Sequence, residues 1–478
     1  MARLRCVVCN HEEDSDSLEA ACPRCGSSVV LSGERHGGVR RDELDGLPPG
    51  VWRFRSFLPR VSPETIVTLG EGGTPMLPAT RLGQDLGLRS LFLKDETRNP
   101  TGSFIDRGST VLVSLAREMG ITECNCLTTG NLGASLAAYC AKAGMLAKVM
   151  IYPSTDRGKL YQMLAYGAEV EVPSKGFHAD SGNPRTLSVT AGNPYLLDGE
   201  KTTGFEIVQE FGWETPDAIV VPVGTGGHLS MIWRAVRELR DSGLIRDSRC
   251  RLLAVQLAGS ARMVGRLRRG RSPLPETPFT ELEDSEPYFM KEAARAIKAS
   301  GGTGVVVTPA EAVRATASLA TCEGVFAEPA SASVIASLRE ALELGLVDRD
   351  ERIVCVITGA GLKDTKAISR IARASRPVPV REVREVARLQ VGDTKLQILQ
   401  LLRGGPRYGY ALWQSLSLQR RITTASIYQH LGELEELGLA RRSGRTVKGG
   451  RERVTYELTG KGADFLGFAD RLERRPRG

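Results

Sequence analysis

A chain of 478 residues, 41% of them hydrophobic, has apolar mass for two or more buried cores. No apolar run approaches the ~18–20 residues of a membrane-spanning helix, which argues against a helical membrane anchor. The net charge of +8 sits at one end: residues 381–478 hold 19 Lys/Arg against 11 Asp/Glu, and the first 380 residues balance at 45 each. Only the last fifth is therefore expected to seek an anionic partner. The ten cysteines divide into Cys6, Cys9, Cys22 and Cys25 and six scattered ones. With no signal-peptide pattern ahead of them, the scattered thiols are expected to be reduced and the chain cytoplasmic.

The first four cysteines form two C-x-x-C knuckles with 12 residues between them. Such a pair places four thiolates around one zinc ion, closed and structural. Gly26 after the second knuckle, and Asn10 after the first, let the backbone curl toward the metal. Two disulfides are the competing reading, which a reducing compartment disfavours. A zinc ribbon is thus expected over 1–33 and a Pro/Gly-punctuated linker over 34–64. From 65 to 378 short apolar strands (91–93, 147–152, 218–223, 252–255, 352–357) alternate with helical segments (106–119, 133–143, 159–166, 228–240, 310–320). That alternation predicts parallel sheets with helices on both faces. Pro222-Val223-Gly224-Thr225-Gly226-Gly227-His228 links a buried strand to a helix and offers backbone N–H groups to an anion.

One stretch organises this region: Lys94-Asp95-Glu96, then Asn99-Pro100-Thr101-Gly102-Ser103-Phe104-Ile105-Asp106-Arg107-Gly108. It resembles the cofactor loop of threonine synthase, a pyridoxal-phosphate enzyme of the tryptophan-synthase-β fold. The resemblance continues through Gly70–Pro75, Thr129-Gly130-Asn131, Gly158-Lys159-Leu160, Leu197–Thr202 (the family's LEGQKT), Glu328–Ala332 and Thr358–Asp364. It implies an α/β body of two subdomains that binds pyridoxal phosphate. By that likeness the cofactor would meet Ser103, Asn131, the loop Gly224, Thr225, Gly226, Gly227 and His228, and Thr358. Asn131 would face the phenolic oxygen and Thr358 the pyridine nitrogen, although both residue types also serve as caps and turns. His228 stands where Asn is frequent and is not expected to be catalytic. Some threonine synthases carry a similar N-terminal ribbon.

The family's Schiff-base lysine follows Ser-Phe, and here that residue is Ile105. Isoleucine offers no nucleophile and no ionisable group. Lys94, eleven residues earlier on the strand, is the nearest substitute and an improbable one. Members that use O-phosphohomoserine often have Arg where this chain has Leu196, and Thr where it has Leu132. Three polar-to-apolar changes suit a changed task, against the alternative that Ile105 is an engineered residue in an ordinary enzyme.

Residues 379–391 read as a linker and 392–478 as a further fold. An amphipathic helix over 393–403 (Leu396, Ile398, Leu399, Leu401 and Leu402 inward), a second opening at Tyr408-Gly409-Tyr410, a third over 424–437 and a basic hairpin make a winged helix-turn-helix. The pattern resembles PadR-type transcription regulators. The resemblance implies double-stranded DNA, with Thr424, Ser426, Gln429 and His430 toward bases and Arg441, Arg442, Arg445, Lys448, Arg451 and Arg453 toward phosphates. The alternative is a wing used for protein contact. A last helix over 459–473 would pair the chain into a homodimer. The whole reads as a threonine-synthase-like body, impaired by Ile105, that lets an amino acid or pyridoxal phosphate control DNA binding. Its rival is an active threonine synthase, or a sibling lyase, with a regulatory tail.

Overall fold

The computed structural model describes residues 2–18, 21–32, 38–172, 183–264 (save 248 and 262), 289–371 (save 366, 369 and 370), 392–418, 422–448 and 451–473. The chain falls into two compact units, Met1–Ala374 and Ser375–Gly478. The expected linker over 379–391 lies outside the described residues.

The first unit begins with β1 (Ala2–Cys6), paired antiparallel with β2 (Glu12–Ser15) and β3 (Val29–Leu31). After α1 (Arg41–Asp45), a 3-10 turn over Val51–Phe57 buries Val51, Phe54 and Phe57. The rings of Phe54 and Phe57 lie 5.1 and 4.9 Å from Phe205. The stretch read as a polar linker therefore supplies core, because one 3-10 turn sets phenylalanines three residues apart on the same side.

Strands β4 (Met76–Pro78) and β5 (Ser90–Asp95) start a sheet that the chain leaves and later rejoins. In between it builds a four-stranded parallel sheet, order β8-β7-β6-β9, from β6 (Glu123–Thr128), β7 (Leu146–Ile151), β8 (Glu169–Glu171) and β9 (Thr186–Ser188). It returns with β10 (Ala218–Pro222), β11 (Arg251–Leu257), β12 (Thr303–Val307) and β13 (Arg352–Ile357). Their order is β12-β11-β10-β13-β5-β4, parallel except for β4. The connecting helices are α2 (Thr80–Leu86), α3 (Asp106–Glu118), α4 (Asn131–Ala143), α5 (Arg157–Ala165), α6 (Pro194–Glu200), α7 (Thr202–Glu210), α8 (Gly227–Asp241), α9 (Met290–Ala299), α10 (Pro309–Glu323) and α11 (Pro329–Glu343). Strand β10 is buried at every residue, as a parallel strand covered on both faces must be. Its two faces feed separate cores, Val220 with Val255 and Cys355, and Ile219 with Val354 and Phe205.

The second unit runs α12 (Asp393–Arg403), β14 (Arg407–Tyr408), α13 (Gly409–Ser417), α14 (Thr424–Glu436), β15 (Ala440–Lys448), β16 (Arg451–Leu458) and α15 (Gly460–Glu473). Its core gathers Ile398, Leu402, Leu412, Ile427, Leu431 and Tyr456. Leu396 and Leu401, expected inward, are only half-buried, since they lie at the margins of the apolar stripe. Among the described residues no helix is long and apolar enough to cross a membrane.

Candidate functional site

Strand β5 ends at Asp95, whose side chain caps the turn Glu96–Arg98, and the chain doubles back through Gly102 at φ 74. The Asp106 carboxyl accepts from the Thr101 amide (2.7 Å), the Thr101 hydroxyl (2.7 Å) and Ser135 (2.6 Å), which ties this loop to the start of α3. Phe104 donates its amide to the Thr358 carbonyl at 3.1 Å, joining the loop to the end of β13. Ile105 is thereby fixed as the first, uncapped residue before α3 and lines a cavity of about 320 Å³. The cavity lies past the carboxyl ends of β6, β10 and β13, where open parallel sheets bind ligands.

The structure brings most of the expected cofactor residues to this cavity. Gly224, Thr225, Gly226, His228, Asn131 and Thr358 all line it. Gly226 sits at φ 89, and a methyl on Gly227 would fall 2.5 Å from Leu197, so side chains are excluded where α8 begins. Backbone N–H groups at an uncapped helix start are suited to a phosphate. His228 stacks on Phe104 at 4.0 Å and meets the Thr203 hydroxyl at 3.1 Å. Burial pushes its pKa down to about 3, so it is uncharged at neutral pH. Asn131 donates to Glu328 at 3.1 Å, and its buried carbonyl oxygen has no partner among the described residues. Glycine loop and open acceptor together fit an anionic, polar-edged ring such as pyridoxal phosphate.

Two expected residues fall elsewhere. Ser103 is fully buried in a bridge to Gly359 and does not line the cavity. Lys94 points into a buried ionic cluster instead: its ammonium lies 2.7 Å from Glu206, beside Arg107, which reaches Glu96 at 2.6 Å and Glu206 at 2.7 Å. Burial raises both glutamates, but Arg107 and Lys94 outweigh it and hold the carboxyls below their usual range. The Gly70–Pro75 motif serves this cluster, because Gly73 donates its amide to Glu206 and Thr74 its hydroxyl to Glu96.

Residue-by-residue reading missed three charged groups. Glu328, at the start of α11, lines the cavity and pairs with Lys159 at 3.0 Å. Glu200 lines it as well. All three stand inside quoted motifs, so the signal was present, but nothing local tells which motif residues face inward. Leu132 and Leu196 line the same cavity as Ile105, so the three apolar departures share one place.

The four N-terminal cysteine sulfurs lie within 4.8 Å of one another. Asn10 and Gly26 sit at φ 59 and 68, and the amides of Val8 and Cys9 point at the Cys6 sulfur at 3.4 Å. These residues fit a closed tetrahedral zinc site. Purified protein is expected to carry one zinc per chain by metal analysis. Cys22→Ser should abolish it and expose residues 2–32 to protease while the α/β body resists.

In the second unit Thr423 caps α14 by accepting from the Ser426 amide. Thr424 and Gln429 are exposed, and Ser426 meets His430 at 3.3 Å. Arg441, Arg442 and Arg445 are exposed on the hairpin, with Arg441 2.6 Å from Glu457 and Arg442 3.3 Å from Glu435. Arg453 lies over the rings of Tyr408 (4.9 Å) and Tyr410 (5.0 Å), which fixes its direction. Lys448 and Arg451 are paired across the hairpin, with their side chains outside the described residues.

Residues 67–359 match the pyridoxal-phosphate dependent enzyme family, and residues 398–467 match the transcriptional regulator PadR-like family. The threonine synthase of Methanocaldococcus jannaschii is 38% identical over 382 residues, covering 77% of this chain and 94% of that protein. That of Mycobacterium tuberculosis is 38% identical over 352 residues, 71% of this chain and 96% of that one. Among solved structures, the processed form of threonine deaminase isoform 2 from Solanum lycopersicum superposes with a TM-score of 0.54 at 19% identity. It covers 76% of this chain and 100% of its own, a likeness of fold.

Proposed function

The chain belongs to the pyridoxal-phosphate dependent enzyme family, as a relative of the threonine synthases with a PadR-like domain behind it, and from that premise we propose a ligand-responsive DNA-binding regulator. The observation that carries the reading is the cavity wall at residue 105. Isoleucine stands there, and among the described cavity-lining residues there is no lysine at all.

Pyridoxal phosphate, when bound, supplies an electron sink for amino-acid carbanions. The chain's own residues divide the remaining work. Gly224, Thr225, Gly226 and the start of α8 hold the phosphate, and Asn131 and Thr358 orient the ring. Phe104 and His228 form an uncharged stacked wall that keeps water out. Among the described residues no lining amine is available to anchor a ligand covalently or to move a proton at an α-carbon. Binding without turnover is what such a pocket supports. The second unit, working as a homodimer paired through α15, reads double-stranded DNA with α14 and holds phosphates with the wing.

Coupling between the two sites requires a ligand with different affinity for two states of the protein. An operator selected from a randomised duplex library should bind about 5- to 150-fold more or less tightly when amino acids or pyridoxal phosphate are added. An unchanged affinity with all of them sinks the regulator. Replacing Arg441, Arg442 and Arg445 together by alanine should weaken all duplexes alike and lower the salt slope by about three. Gln429→Ala should instead relax one base position at a cost of about 1–3 kcal/mol.

A rival reading has one observation in its favour: Lys159 lies 3.0 Å from Glu328, so a lysine is present just behind the cavity wall. An active threonine synthase or sibling lyase would release phosphate from O-phosphohomoserine, and borohydride would mark Lys159 or Lys94.

A further inference from the structure

A fourth departure lies beside Ile105, Leu132 and Leu196. Where the threonine-synthase pattern has the glutamine of LEGQKT, α6 ends in Glu200. This residue is 4% exposed and lines the cavity, and it makes no hydrogen bond or ion pair among the described residues. The neighbouring charges are already matched. Lys201 holds Asp198 at 2.9 Å and Glu238 at 3.0 Å, and Glu328 takes Lys159 and Asn131. No arginine or lysine lines the cavity among the described residues. Besides Glu328, paired as above, His228 and Tyr152 are the other titratable groups on its walls among the described residues, and burial keeps the histidine uncharged. A buried carboxyl without a partner is costly and needs an explanation. Burial raises its pKa well above the usual carboxylate value.

We propose that Glu200 recognises an ammonium group on the ligand, and that the site takes the cofactor in its amine form, pyridoxamine 5′-phosphate, in preference to the aldehyde. This rests on the cofactor-pocket reading given above. The aldehyde form has no amine to condense with among the described wall residues and brings no ammonium. The amine form brings a cation that the Glu200 carboxylate can pair with. Such a pair is charge-assisted and, in a cavity walled by Ile105, Leu132 and Leu196, stronger than in water. The loss of the lysine and the gain of the carboxyl then form one change of ligand.

Calorimetric titration of the full-length protein with pyridoxamine 5′-phosphate and with pyridoxal 5′-phosphate tests this. The wild type should bind the amine form at least about tenfold more tightly. Glu200→Gln should weaken the amine form about 10- to 100-fold, the range of a hydrogen bond to a charged group, and leave the aldehyde form within about twofold. That retained affinity also reports that the variant is folded. Should Glu200→Gln lose both forms, the preference must survive in Glu200→Asp for the proposal to stand, and its loss there overturns it. Equal binding in the wild type, or a preference that persists in Glu200→Gln, overturns the role of Glu200 and leaves the cofactor pocket in place. Binding of neither form would remove the pocket reading and this proposal together.

Discussion

Ile105→Lys is expected to let borohydride fix pyridoxal phosphate at position 105, where the wild type shows no labelled lysine. Residue 105 sits at φ −58 and ψ −26, a conformation lysine adopts without strain, and its side chain already faces the cavity. The new amine supplies both an anchor and a proton shuttle. Positioned acid–base catalysis alone is worth about 10²–10⁴-fold, so phosphate release from O-phosphohomoserine should rise by at least that much if the rest of the pocket still accepts the substrate. A label without turnover would mean that Leu132, Leu196 and Glu200 have moved the pocket to another ligand. A label on Lys159 or Lys94 in the wild type would remove the regulator reading and restore the enzyme.

Glu206→Gln should destabilise the first unit by about 3–5 kcal/mol, measured as a lowered urea midpoint at pH 7. The substitution leaves Arg107 and Lys94 buried with half their counter-charge, and an uncompensated buried charge costs more than the pair contributed. Acid acts on the same cluster. Glu206 and Glu96 are held below the usual glutamate value of 4.5, so their contribution is complete above that pH and is lost as the pH falls through their lowered values. Wild-type stability should decline steeply below about pH 4.5, and Glu206→Gln should decline less steeply. Equal slopes would show that the cluster does not govern acid unfolding. Because Arg107 follows Ile105 by two residues, the cluster also fixes the start of α3 and hence the cavity wall.

Much of this was legible along the chain. The strand–loop–helix from Leu91 to Glu118, the helices and hairpin after Asp393, and the cysteine knuckles rest on contacts between residues near in sequence, so periodicity, glycines and cysteine spacing reveal them. Isoleucine at 105, where the threonine-synthase pattern has lysine, is likewise read from the sequence. Distance in the chain hides the rest. Lys94 meets a partner 112 residues away, and no local pattern says that its ammonium turns from the cavity into an ionic cluster. Phe54 and Phe57 look like punctuation in a polar stretch until Phe205 covers them. Glu200 reads as one more helix-end acid, and only the fold buries it on the cavity wall with no cation beside it among the described residues. The sequence alone determined that residue 105 is isoleucine. That Glu200 faces the same cavity depended on the tertiary structure, because burial and pairing belong to neighbours in space rather than in the chain.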